Sequence, residues 1–161
     1  MHLVHASFAT EEAIYGVLLV TGMIVVARGH AETSWAVFTT VIATVFVFWA
    51  AHVYAGTVAH HGLEEDRITG LREAFRMSLQ RSLGLLTSAL IPSLILLLGT
   101  TRVVDDATAI WVAMWVSVVV LFVLGFVGFT RRGATLPWRI LGALGTAAFG
   151  LAMIVLKAIV H

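Results

Sequence analysis

The feature that most constrains this chain is a series of five long apolar runs within 161 residues. A helix of about 20 apolar residues crosses a hydrocarbon core of about 30 Å. In lipid the backbone must satisfy its own hydrogen bonds, so such runs form helices. We therefore predict an all-α, polytopic integral membrane protein with five transmembrane helices and one short amphipathic cytoplasmic helix. The predicted spans are residues 8–27, 35–60, 83–98, 107–129 and 137–157.

The composition supports lipid as the solvent for much of the chain. Hydrophobic residues make up 60% of it and charged residues 12%, against about 45–50% and about 25% in ordinary globular domains. The net charge of +1 and the lack of a basic stripe argue against nucleic-acid binding. The absence of cysteine excludes disulfides and thiolate metal sites. We see no nucleophile paired with a base, so the sequence predicts no enzyme.

The start of the chain predicts a retained helix instead of a cleaved signal peptide. Glu11 and Glu12 stand where a signal peptide would carry basic residues. Thr33 or Ser34 is suited to cap the second helix, and Asp105 is suited to cap the fourth. Residues 1–161 are thus expected to form a single transmembrane domain.

The segment of residues 62–82 is the longest polar stretch between two predicted spans. Its apolar residues Ile68, Leu71, Phe75 and Leu79 recur at helical spacing, with arginines on other faces. The pattern predicts an amphipathic helix that lies on the membrane surface or leads into the third span.

The basic residues of the short loops predict the orientation. Seven arginines fall on one side of the predicted membrane, and three basic residues fall on the other. Cytoplasmic loops carry the excess of Arg and Lys, so we expect a cytoplasmic N-terminus and an extracytoplasmic C-terminus, in a bacterial inner membrane. The seven are Arg67, Arg72, Arg76, Arg81, Arg131, Arg132 and Arg139; the three are Arg28, Arg102 and Lys157.

Two carboxylates near the inner end of the first span are candidates for an ion site. Ionisable residues at membrane depth are costly and are often functional. Glu11 and Glu12 could bind a cation or share a proton, and Tyr15 lies one turn along the face of Glu11. The alternative is that both acids are interfacial and only begin the helix, where anions suit its dipole.

A polar cluster occupies the inner half of the second span. His52 is the deepest histidine, and His60 follows eight residues later. Imidazole suits transition metals, carboxylate suits harder ions, and the same groups can relay protons. The alternatives are an interhelical hydrogen bond for His52 and an interfacial belt for the rest. The other members of the cluster are Tyr54, His61, Glu64 and Glu65.

The arrangement of the predicted helices resembles that of the vacuolar iron transporters and their bacterial relatives. Glu11 and Tyr54 occupy places comparable with those of that family. The resemblance implies a dimer that exchanges a divalent metal for protons, with a site between the first and second helices. The last two helices and their basic turn carry the similarity in Gly125, Gly128, Arg131, Arg132, Pro137, Arg139, Gly142 and Gly145.

These observations favour a small membrane transporter or channel for a cation, including a divalent metal as substrate coupled to protons. It would act as a homodimer or larger homo-oligomer in the lipid bilayer. We expect Glu11, Glu12 and His52 to form the intramembrane metal site, with Tyr15 and Tyr54 along the pathway. The predicted inner mouth consists of His60, His61, Glu64 and Glu65.

Two other functions are compatible with the sequence. One is a non-catalytic membrane subunit or scaffold whose helices bind a partner protein or lipid. In a transporter Glu11 and His52 would face a polar cavity, and in such a subunit they would not. The other is haem ligation by His52, which is weaker because no other helix carries a comparably deep histidine.

Overall fold

The computed structural model describes residues 2–28, 33–64 and 67–160, and their side chains except those of residues 2–10, 28, 62–64, 67–69, 157 and 160. Within these ranges the chain forms five long helices and a short antiparallel hairpin. The helices are α1 (His2–Arg28), α2 (Ser34–His60), α3 (Leu71–Thr100), α4 (Asp106–Arg131) and α5 (Leu136–Val160). The hairpin strands are β1 (Gly62–Glu64) and β2 (Arg67–Thr69), which lie between α2 and α3.

The polar residues before α2 and α4 cap these helices, as the sequence predicts. The Thr33 hydroxyl accepts a hydrogen bond from the Ala36 backbone N–H at 3.3 Å. The Asp105 carboxylate accepts one from the Thr108 N–H at 2.9 Å. Each bond satisfies an N–H that has no partner within its own helix.

Four helices in the described part of the chain are long and apolar enough to cross a membrane, which indicates an integral membrane protein. They are α2, α3, α4 and residues 136–156 of α5. The fifth predicted span is α1, whose described side chains begin at Glu11. Many large apolar side chains face outward, such as Phe46 on α2 and Phe149 on α5. Lipid is the solvent that suits such surfaces.

The core lies where α1 and α3 cross in the middle of the bundle. The helix α1 packs mainly against α3 and α4, α2 packs mainly against α3, and α5 packs against α4. Val20 and Ile24 of α1, Val41 of α2 and Leu85 of α3 are fully buried there. The helix α3 therefore contacts both α1 and α2, and it separates much of their length.

The segment of residues 62–82, predicted as one amphipathic helix, is helical only in its second part, which leads into the third span as one of the two predicted arrangements has it. Its first part forms the β1–β2 hairpin, and its second part is the beginning of α3. The β-branched pair Ile68-Thr69 suits a strand, and Gly70 stands as the N-cap before Leu71. The number of helices is therefore five instead of six among the described residues.

Candidate functional site

A cavity of about 230 Å³ that is lined mainly by polar residues lies between α1, α2 and α3. Five residues that the sequence singles out meet in its wall, although they come from two helices. The third wall is provided by α3, which the sequence analysis did not connect with the site. The lining residues are Glu11, Glu12, Tyr15, His52, Gly56, His60, Ser78, Arg81 and Ser82.

Glu12 and His52 form the central pair of this cavity. One carboxylate oxygen of Glu12, Oε1, lies 3.4 Å from Nε2 of His52. The expected proximity of the helix-one acids to His52 is thereby confirmed for Glu12. The separation is at the long end for a direct hydrogen bond, so the interaction between the two side chains is weak.

The other carboxylate oxygen of Glu12 is buried and unsatisfied. Glu12 is only 7% exposed, and its Oε2 has no hydrogen-bond partner among the described residues. A buried carboxylate oxygen without a partner is costly, and such groups are rare in folded proteins. Glu12 is one of the residues that line the cavity, and Oε2 has capacity to accept a further bond.

A second pair, His60 and Arg81, lies in the same wall. His60 Nδ1 is 2.6 Å from the Gly56 carbonyl oxygen, and His60 Nε2 is 2.7 Å from Arg81 Nη1. Because a guanidinium only donates hydrogen bonds, Nε2 is the acceptor and Nδ1 carries the proton. His60 is therefore neutral in this arrangement, and both its nitrogens are engaged.

Close approach of α3 to its neighbours sets the width of the cavity. A methyl group added at Gly56 of α2 would lie 2.8 Å from Ser78 Oγ. One added at Gly16 of α1 would lie 2.7 Å from the Leu85 backbone oxygen. Small residues allow membrane helices to pack this closely. The two glycines therefore allow α1 and α2 to lie directly against α3.

The remaining predicted site residues lie elsewhere. Tyr54 is 72% exposed on the outer surface of α2 and does not line the cavity. His61 is exposed at the end of α2. The side chains of Glu64 and Glu65 fall outside the described residues. Their predicted role at an inner mouth stays a prediction.

The donor set of the cavity suits protons and a hydrated cation better than a tightly held metal. No three His, Asp or Glu side chains come together as a metal-binding group within the described ranges. Arg81 also places a fixed positive charge in the wall. A bare divalent ion at Glu12 and His52 would need water or Glu11 to complete its ligands.

Three lining residues, Ser78, Arg81 and Ser82, were missed by sequence reasoning. The signal was present as Ala74, Ser78 and Ser82, which are spaced by four and are all buried. The larger residues Leu71 and Phe75 lie on neighbouring turns and dominate the apolar pattern of this segment. In a membrane helix the large apolar residues face lipid, and the small residues face other helices.

Comparison of the chain with protein-family models, curated proteins and solved structures found no match. The resemblance to vacuolar iron transporters therefore stays an expectation. The fold and the cavity themselves define a class, that of a helical integral membrane protein with ionisable side chains buried between its helices.

Proposed function

We propose that this protein is a small membrane transporter for a cation, coupled to protons, and that Glu12 and His52 are its ion-binding pair. The observation that carries the proposal is the buried Glu12 oxygen Oε2. It is unsatisfied among the described residues, and Glu12 lines the cavity together with His52. Ionisable groups at such positions commonly mark ion pathways and proton relays.

The proposed exchange of a cation for protons follows from the free-energy cost of a buried Glu12 carboxylate that is charged and has no positive partner. An anionic carboxylate between apolar helices needs a positive partner. Either a proton on the carboxylate or a cation in the cavity provides one, and each disfavours the other. A cation that binds the Glu12 carboxylate therefore releases its proton, which couples the movement of the cation to that of protons.

A divalent metal with part of its water shell is the substrate class that we propose for the cavity. Glu12 would supply a carboxylate oxygen and His52 an imidazole nitrogen, and waters would complete the ligands. Divalent metals often keep several waters when few protein ligands are present.

The distribution of arginines supports placing the cavity at the cytoplasmic end. His60 ends α2, and Arg81 lies in the first part of α3, next to the segment that carries Arg67, Arg72 and Arg76. By the positive-inside rule this end faces the cytoplasm. The N-terminus of α1 would then also be cytoplasmic, in a bacterial inner membrane.

The cavity also favours a transporter over a non-catalytic subunit. A subunit that only binds a partner needs no polar space between its helices, and its Glu11 and His52 would face packed side chains or lipid. Both residues line the cavity instead.

Calorimetric titration of the protein in lipid nanodiscs with Mn²⁺ or Zn²⁺ tests the proposal. Loss of a charge-assisted contact predicts that Glu12→Gln weakens binding by about tenfold to 100-fold. Glu73→Gln is the matched control, because Glu73 is an exposed acid outside the cavity. Equal affinities for the wild type and Glu12→Gln would refute the site.

A further inference from the structure

A large groove lies next to the cavity and shares Glu11 and Tyr15 of α1 with it. It has a volume of about 1060 Å³ and runs between α1, α4 and α5. Its walls are mostly apolar, with Ile14 and Leu18 on α1, Leu124 and Phe129 on α4, and Phe149 on α5. The volume reaches the upper end of the range for small-molecule sites, about 300–1,000 Å³.

Glycines create the space in this groove. A methyl group added at Gly145 of α5 would meet no atom within 4 Å, so this position faces open space. At Gly142 an added methyl would overlap the ring of Phe129, and at Gly125 it would overlap Thr146. Gly142 and Gly125 therefore allow α4 and α5 to pack closely where these helices line the groove.

Two arginines give one end of the groove a positive charge. Arg131 ends α4 and Arg132 is its C-cap residue, and both line the groove together with Gly133. Glu11 is the acid among the lining residues, so two guanidinium groups face one carboxylate. The groove is thus amphipathic, with cations at one end and apolar side chains along its length.

We propose that this groove binds an anionic phospholipid, with the phosphate on Arg131 and Arg132 and the acyl chains along α1, α4 and α5. Arginine matches phosphate oxygens with paired hydrogen bonds. Basic pockets between transmembrane helices are known to hold anionic headgroups. The apolar walls suit the acyl chains, which a free phosphate ion lacks. This inference does not rest on the proposed transport function, although Glu11 and Tyr15 line both the groove and the cavity.

Native mass spectrometry of the detergent-solubilised protein tests this site. The probes are phosphatidylglycerol and phosphatidylcholine with identical acyl chains. The wild type should bind phosphatidylglycerol more tightly. The double variant Arg131→Gln/Arg132→Gln should lower that affinity by about 30-fold and remove the preference over phosphatidylcholine, whose phosphate is accompanied by a choline cation. The double variant Arg72→Gln/Arg76→Gln removes two exposed arginines of α3 and should keep the preference.

A second variant tests the apolar part of the groove. Gly145→Leu places a side chain into the open space and should reduce binding of both lipids, with the helical circular dichroism spectrum unchanged. Equal affinity of the wild type for the two lipids would overturn the proposal. An equal loss in both double variants, or displacement of phosphatidylglycerol by an equimolar amount of inorganic phosphate, would do so as well.

Discussion

Arg81 of α3 donates a hydrogen bond to His60 of α2, with 2.7 Å between Nη1 and Nε2. The bond exists only while His60 is neutral, because a protonated imidazole has no acceptor nitrogen. The bond thus joins α2 to α3 at the cavity. The other ionisable groups among the described lining residues are Glu11, Glu12, Tyr15 and His52.

Replacement of His60 tests this relationship. In His60→Gln the amide oxygen can still accept from Arg81, whereas His60→Leu provides no acceptor. His60→Gln should therefore keep the cation affinity of the wild type. His60→Leu should lower it by about twofold to tenfold, because Arg81 loses this acceptor and can compete with a cation for the carboxylates. Calorimetric titration of both variants measures this, and equal affinities would refute the role of His60.

The close contact of α1 with α3 at Gly16 predicts a stability effect. A methyl group at Gly16 would lie 2.7 Å from a backbone oxygen, which cannot move away without shifting α3. Gly16→Ala should therefore lower the free energy of unfolding by about 1–3 kcal/mol. Gly145→Ala is the control, since its methyl group meets no atom within 4 Å. It should be neutral or stabilising by up to about 1 kcal/mol. Denaturant unfolding in mixed micelles measures both, and equal effects would contradict the packing.

The cap of α4 predicts a specific dependence on pH. The backbone N–H of Thr108, donated to the Asp105 carboxylate, holds the pKa of that carboxyl below its ordinary value of 3.8. A lowered pKa in the folded state means that the carboxylate stabilises the fold above the ordinary pKa. This contribution is lost as the pH falls through the lowered value.

Two variants separate the charge of Asp105 from its hydrogen bond. Asp105→Ala should lower the melting temperature at neutral pH, and the difference from the wild type should shrink in strong acid. Asp105→Asn keeps an N-cap acceptor that does not titrate, so it should retain more stability than Asp105→Ala. Scanning calorimetry at several pH values tests this, and a difference that persists unchanged in strong acid would argue against the cap.

The arginine distribution predicts the topology of the chain. A reporter fused after residue 161 should be extracytoplasmic, and one inserted next to Glu65 should be cytoplasmic, because seven of the ten basic residues lie on that side. Paired alkaline phosphatase and fluorescent protein fusions provide the measurement. The reverse pattern would contradict this topology and would assign the cavity to the extracytoplasmic side of the membrane.

The sequence predicted those features that depend on local patterns. The caps at Thr33 and Asp105 follow from residue type next to an apolar run, and both are present. The approach of Glu12 to His52 followed from the need of each buried polar group for a partner. These inferences need no knowledge of which helix faces which.

The features that escaped prediction depend on helix rotation and on the path of the chain. Ser78 and Arg81 belong to the cavity because α3 turns its small residues toward α2. The spacing of Leu71 and Phe75 predicted an amphipathic helix at the membrane surface or before the third span, and both side chains are exposed on α3. In a helix of a soluble protein the spacing of large apolar residues indicates the buried face. In a membrane helix it indicates the face that contacts lipid.

Metal-driven proton movement is the measurement that tests the role of Glu12 most directly. The protein is reconstituted into liposomes that contain a pH indicator, and Mn²⁺ is added outside. We predict that the wild type and the control Glu73→Gln move protons when the metal is added. Glu12→Gln should do so at less than about a tenth of their rate. Proton movement by Glu12→Gln at the wild-type rate would contradict the assignment of the Glu12–His52 pair as the site of transport.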